Sequence, residues 1–159
     1  MNFEDFTVSH EETDWSDCLQ SWSWLLKKNP EIQVLLVTKF AELFVINDDD
    51  EVWFMSSSGG SYEKISDSLE SFSSLLEDKE TLDLYFMPEL AMLLENEGLT
   101  LEDDHCYGFK IPCVYEECTF EPDNFYVANI AEYLKALGNR LGEMEQQAGN
   151  TQVTLNTFT

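Results

Sequence analysis

Apolar positions along this chain recur with two different periods, and each change of period marks a new element. Across residues 14–26, Trp15, Cys18, Leu19, Trp22, Leu25 and Leu26 return at helical spacing. Thr13 or Asp14 is placed to cap the start of this helix. Lys27 and Lys28 follow where a helix C-terminus favours positive charge, and Asn29-Pro30 ends it. From residue 31 to 64 the pattern is extended. Residues 32–37, 43–46, 52–55 and 62–65 are short β-branched or aromatic runs. An acidic turn, Asn47-Asp48-Asp49-Asp50, separates the second from the third. Ser56-Ser57-Ser58-Gly59-Gly60 separates the third from the fourth, because glycine accepts positive φ. Together the four runs predict an antiparallel meander.

The helical period then returns. Asp67 with Glu70 has capping-box spacing, and Ile65, Leu69, Phe72 and Leu76 form one apolar stripe. Pro88 suits the first turn of a helix over 89–95, which Gly98 would stop. A short strand is expected over 107–111, followed by an irregular loop bracketed by Pro112 and Pro122. Asn129 with Glu132 opens a last helix whose apolar face is Ile130, Tyr133, Leu134, Leu137, Leu141 and Met144. Gly138 and Gly142 interrupt it. Their spacing is that of a membrane dimer motif, but the helix is amphipathic and carries Lys135 and Arg140, so close packing at Gly138 is the better reading. The expected class is α+β: an antiparallel sheet packed by several helices. Residues 1–146 read as one domain, with a helical part over 1–30 and the main body over 31–146, and 147–159 as a polar flexible tail.

Charge changes this picture most. The chain has 32 Asp and Glu against 8 Lys and Arg, a formal net charge of −24 on 159 residues. Acidity of this order usually accompanies disorder. Here 43% of residues are hydrophobic and 13% aromatic, so a core is affordable and the surface must be strongly negative. Such a surface repels phosphate, which argues against direct binding to nucleic acid or to an anionic membrane. A basic protein is the expected partner. No run approaches the roughly 18 apolar residues of a membrane span. The first residues lack the basic and apolar regions of an export signal, so a cytoplasmic location and free thiols at Cys18, Cys106, Cys113 and Cys118 are expected.

Candidate chemistry is thin. His105, Cys106, Cys113 and Cys118 invite a zinc reading, but no Cys-x-x-Cys pair exists among them. The acidic turn at 47–51 fails as a calcium loop: counted from Asp48, the sixth position is Trp53 and the twelfth Gly59. The segment 57–64 lacks the phosphate-loop pattern. A thiol nucleophile could be built from Cys106 or Cys113 with His10 or His105, though neighbours on a strand point to opposite sides. No catalytic residue, cofactor or metal is expected. Trp15 and Trp22 share a helical face and read as core. Trp24 lies off that face and could anchor an interface.

From Glu42 to about Glu145 the order of features resembles one bacterial family. Leu43-Phe44-Val45-Ile46 and Val52-Trp53-Phe54 are similar to its paired strands around an acidic turn. Pro88-Glu89-Leu90 and Gly98-Leu99-Thr100 resemble its middle helix and stop. The sharpest part is Cys106-Tyr107-Gly108-Phe109-Lys110-Ile111-Pro112 followed by Phe120-Glu121-Pro122-Asp123-Asn124, and Gly138 matches a glycine of its last helix. The family is the C-terminal domain of type VI secretion DNase-immunity proteins, long catalogued as a domain of unknown function. Where the family carries a Gly-Gly pair before the second motif, this chain has Glu116-Glu117-Cys118 and is one residue longer.

The resemblance implies an immunity protein, or antitoxin. It would bind a cognate basic effector, a secreted DNase first among candidates, and act as a nuclease inhibitor without catalysis or cofactor. Residues 31–146 would be the immunity-like core. Acidic residues expected in turns and loops are the first candidates for contact: Asp48, Asp49, Asp50, Glu51, Asp103, Asp104, Glu116 and Glu117, with Trp24 as an apolar anchor. Two other readings stay open. One is an acidic DNA mimic inhibiting a DNA-binding protein. The other is a metal-dependent enzyme using His105 and the late cysteines.

Overall fold

Central strands with four successive apolar positions must be covered on both faces, and that requirement organises the molecule. The structure, a computed structural model, describes residues 3–29 and 31–150. Six strands and six helices follow in the order α1 (Trp15–Cys18), α2 (Ser23–Leu26), β1 (Ile32–Val37), β2 (Leu43–Asn47), β3 (Val52–Ser56), β4 (Ser61–Ser66), α3 (Leu69–Leu75), α4 (Lys79–Phe86), α5 (Pro88–Asn96), β5 (His105–Phe109), β6 (Phe125–Asn129) and α6 (Ile130–Asn150). Strands β1-β2-β3-β4 form an antiparallel meander in sequence order, and β5 pairs with β6. The expected α+β class is what the chain adopts, as one domain.

In β2, Phe44 faces one core and Leu43 and Val45 face the other. In β3, Val52 and Phe54 oppose Trp53 and Met55 in the same way. The first core is closed by Phe72 of α3, Leu82 and Phe86 of α4, and Ala91 and Leu94 of α5. Cys18, Trp22 and Leu26 close the second, together with Ile130, Leu134, Leu137 and Leu141 of α6. The period of two in the strands thus sorts the helices into two layers.

The N-terminal helix expected over 14–26 is broken. Asp14 does cap it, accepting from the Asp17 amide at 3.1 Å. A 3-10 turn at Leu19–Trp22 then interrupts it. The cause is tertiary: the Trp22 indole Nε1 donates to the Leu134 carbonyl at 2.8 Å, and Ser21 and Trp22 lie against Gly138. A Cβ at Gly138 would meet Ser21 Oγ, Trp22 Nε1 at 2.8 Å and the Ser21 carbonyl at 2.9 Å, so this glycine does permit close packing. Trp22 is fully buried, but Trp15 is only half-buried and donates to His10 Nδ1 at 3.1 Å. The end of the helix assigned to Pro30 lies outside the described residues.

Other boundaries moved for local reasons. Ser68, not Asp67, caps α3, its hydroxyl accepting from the Ser71 amide at 3.1 Å. Leu69, expected in the apolar stripe, begins that helix and is exposed. The apolar pattern does not separate helix α4 from its neighbours. Pro88 opens α5, and Gly98 at φ 95° closes it with the Leu99 amide donating to the Leu94 carbonyl at 3.0 Å. The strand expected at 107–111 is instead His105–Phe109, paired with an unexpected β6. Beyond Phe109 the chain leaves the ladder: the Lys110 and Ile111 amides donate to the carbonyl and side chain of Asn124, at 2.7 and 2.9 Å. Asn129 Oδ1 caps α6, accepting from the Glu132 amide at 3.1 Å. That helix continues to Asn150, so 147–150 are helical rather than tail. The remainder of the expected tail, 151–159, lies outside the described residues. Among the described residues no helix is long and apolar enough to cross a membrane.

Candidate functional site: an acidic helical face

The charges proposed for contact do not form one patch. Asp48, Asp49 and Asp50 are exposed at the tip of the β2–β3 hairpin. Glu116 and Glu117 are exposed on the loop between β5 and β6. That loop meets the opposite end of the sheet, where Val114 approaches Gly60 of the β3–β4 turn. About five residues of strand, some 16 Å, separate the two.

Several of these residues are also engaged inside the chain. Asn47 knots the hairpin tip: its Oδ1 accepts from the Asp49 and Glu51 amides, both at 3.0 Å, and its Nδ2 donates to Glu51 Oε1 at 2.9 Å. Glu51 Oε2 pairs with Lys64 Nζ at 3.4 Å. The Asn47 hydrogen bond, then those from Trp53 and Lys64, hold the Glu51 carboxyl below the usual range. Asp104 adopts φ 63°, and its Oδ1 is buried without a hydrogen-bond partner, so half of that carboxylate turns inward. Asp103 is exposed. Trp24 stacks on Trp22 and packs over Gly142, with Nε1 2.9 Å from the Ser21 carbonyl and 3.2 Å from that of Gly138. Its polar atom is satisfied within the fold.

A different stretch of the chain combines acidic residues with exposed apolar side chains. Residues 65–109 contain twelve Asp and Glu and one basic residue, Lys79. Lys79 is itself paired with Asp83 at 2.6 Å. Helices α4 and α5 lie in this stretch, and their outward faces carry Leu84, Met92 and Leu93, with Leu84 70% exposed. Beside them a hollow of about 400 Å³ is lined by Asp83, Met87, Pro88, Glu89, Leu90 and Phe120. Phe120 comes from the β5–β6 loop, packs its edge against Phe109 and stays 53% exposed. The turn into this corner is sharp, because Met87 joins α4 to α5 in the left-handed conformation. Exposed apolar side chains with carboxylates nearby can hold a basic protein surface through apolar contact and charge.

Sequence pattern missed these anchors because it marks the residues that face the core. Leu84 falls between Leu82 and Phe86, and only burial shows which of the three turns outward. The imbalance of twelve acids to one base was the signal that could have found the face.

The candidate thiol–imidazole pairs are not brought together. Cys106 is fully buried, and desolvation pushes its thiol up to about 12. His10 Nδ1 receives the Trp15 indole, and His105 Nδ1 lies 2.8 Å from the Asp103 carbonyl. Among the described residues no three His, Cys, Asp or Glu side chains are grouped as metal ligands. The two motifs that carry the resemblance meet at Asn124. This buried side chain donates to the Ile111 and Thr119 carbonyls at 3.1 and 2.8 Å and accepts from the Ile111 amide, so it clamps the loop at both ends. Compared with models of known protein families and with curated proteins, the chain has no match.

Proposed function

We propose that this protein is an immunity protein that binds a cognate basic toxin and neutralises it by occlusion, a secreted nuclease effector being the first candidate. The resemblance to DNase-immunity domains supports this reading. The observation that carries it is the acidic stretch around α4 and α5, which leaves Leu84, Met92 and Leu93 exposed and forms, with exposed Phe120, a hollow that Asp83 and Glu89 also line. A nuclease keeps a basic surface to hold phosphate. An acidic body associates with such a surface quickly and competes with the nucleic acid. The protein itself performs no reaction in this mechanism and requires no cofactor. It is expected to act in the cytoplasm, where an incoming or newly made effector would meet its target.

The test is co-expression with the adjacent reading frame. Rescue of growth, together with a one-to-one complex, is the expected result. In that complex Leu84→Ser with Phe120→Ser should weaken binding by at least about tenfold, mainly through dissociation. Asp48→Asn with Asp49→Asn should change only the salt-sensitive association rate. Rescue without effect from the Leu84 and Phe120 changes would move the contact surface elsewhere. No rescue and no complex, with inhibition of unrelated DNA-binding proteins, would replace immunity by the DNA-mimic reading.

A further inference from the structure

The loop between β5 and β6 holds two thiols that the reading above does not use. Its chain turns back twice: the Tyr115 amide donates to the Pro112 carbonyl at 3.0 Å, and the Cys118 amide to the Tyr115 carbonyl at 3.2 Å. The turns bring Cys118 Sγ to 3.4 Å from Cys113 Sγ. A disulfide needs the two sulfurs only about 1.4 Å closer. Asn124 holds the flanks of the same loop at Ile111 and Thr119, and its Nδ2 also lies 4.0 Å from Cys118 Sγ. Most of the ordering that ring closure requires is therefore present in the reduced chain. Both residues are half-buried, so a small reagent can reach them, whereas Cys18 and Cys106 are fully buried.

We infer that Cys113 and Cys118 are a redox-modified pair, oxidised to an intramolecular disulfide by a small-molecule disulfide of the glutathione class. The Cys118 thiolate attacks the external disulfide, forms a mixed disulfide and releases one glutathione. Cys113 gives its proton to water and attacks Cys118 Sγ, and the second glutathione leaves. Two protein thiols are oxidised, one disulfide is reduced to two thiols, and the two protons end on the released glutathione. Burial pushes the Cys113 thiol up to about 12, so its attack on Cys118 Sγ should accelerate as pH rises. The closed ring would stiffen the segment immediately before Phe120. The inference does not depend on any partner.

The full-length protein is incubated in reduced and oxidised glutathione at a series of ratios, quenched in acid and alkylated. Cleavage after Lys110 and Lys135 releases 111–135, which contains Cys113 and Cys118 and no other cysteine. The expected result is a fragment that carries no alkyl group under oxidising ratios and is two hydrogens lighter than its free dithiol, both reversed by reduction before alkylation, in a single two-electron transition. Cys113→Ser should trap a glutathione adduct on Cys118. Cys118→Ser should abolish closure. The double serine variant, melting like the reduced parent, shows that these changes leave the fold intact. Full alkylation of both thiols at every ratio would overturn the inference, as would a lasting adduct on Cys118 in the unaltered chain.

Discussion

Glu42 and Glu51 sit at opposite ends of the same sheet, and each organises a turn by accepting hydrogen bonds. Glu51, at the β2–β3 tip, remains in contact with solvent and is paired with Lys64. Its carboxyl is held below the usual range. Glu42, at the β1–β2 turn, is 4% exposed. It accepts from the Ser57 amide at 2.6 Å and the Ser58 hydroxyl at 2.9 Å, tying the β1–β2 turn to the β3–β4 turn. Burial outweighs those hydrogen bonds and raises its carboxyl to about 7. Two identical side chains with similar partners therefore titrate in opposite directions, because only one has lost its water. A count of acidic residues says nothing about which of them present charge to a partner.

The comparison is broken most severely by Glu42→Ala. It leaves the Ser57 amide and the Ser58 hydroxyl without an acceptor inside the protein and opens a small cavity. At pH 5, where Glu42 is neutral, the expected loss is about 3–5 kcal/mol in urea denaturation. A loss below about 1 kcal/mol would mean that water reaches the knot.

Glu42→Gln sharpens the comparison by keeping the shape and removing the titration. A carboxyl raised from 4.5 to about 7 on folding binds an extra proton in the folded state between those values. Stability is then full below pH 4.5 and falls as pH rises to about 7, by about 3 kcal/mol for this group. The difference in stability between parent and Glu42→Gln, followed from pH 4.5 to 8, should show that fall, with the Gln variant gaining relative to the parent. A flat difference would place the Glu42 carboxyl in the ordinary range.

Glu51→Gln should give the smallest effect and the opposite slope. A carboxyl depressed on folding contributes stability that is present above its unfolded value and lost as pH falls through its folded one. The variant should therefore trail the parent near neutrality and converge with it in acid. Salt should shrink the gap, since the Lys64 pair is exposed. A gap that survives high salt would show that the Asn47 knot, not the ion pair, carries the effect.

Much of the fold was legible because local chemistry and burial agree. The runs at 43–46 and 52–55 are apolar at successive positions, so they had to be central strands covered on both faces. Pro88, Gly98 and Asn129 marked helix ends through backbone constraints that act wherever the chain lies. Strand β6 was not legible, because Phe125–Asn129 is short and gains its ladder only from β5. The break in the N-terminal helix had no local signal either. It answers a contact with Leu134, 112 residues away. The candidate contact surface was legible only as charge. Which carboxylates face outward, and that Leu84 and Phe120 stand among them, depended on how α4, α5 and the β5–β6 loop pack.

By itself the sequence determined the α+β class, the order of the meander, the close approach at Gly138 and the strongly acidic composition. Periodicity, turn chemistry and composition are local or additive properties, and folding leaves them unchanged. Only the tertiary structure decided that Glu42 is buried, that Trp24 is satisfied internally, that the acidic turns lie at opposite ends of the sheet and that Cys113 meets Cys118. Each of these depends on which distant residues become neighbours. Desolvation and contact are pairwise consequences of packing, and no single position encodes them.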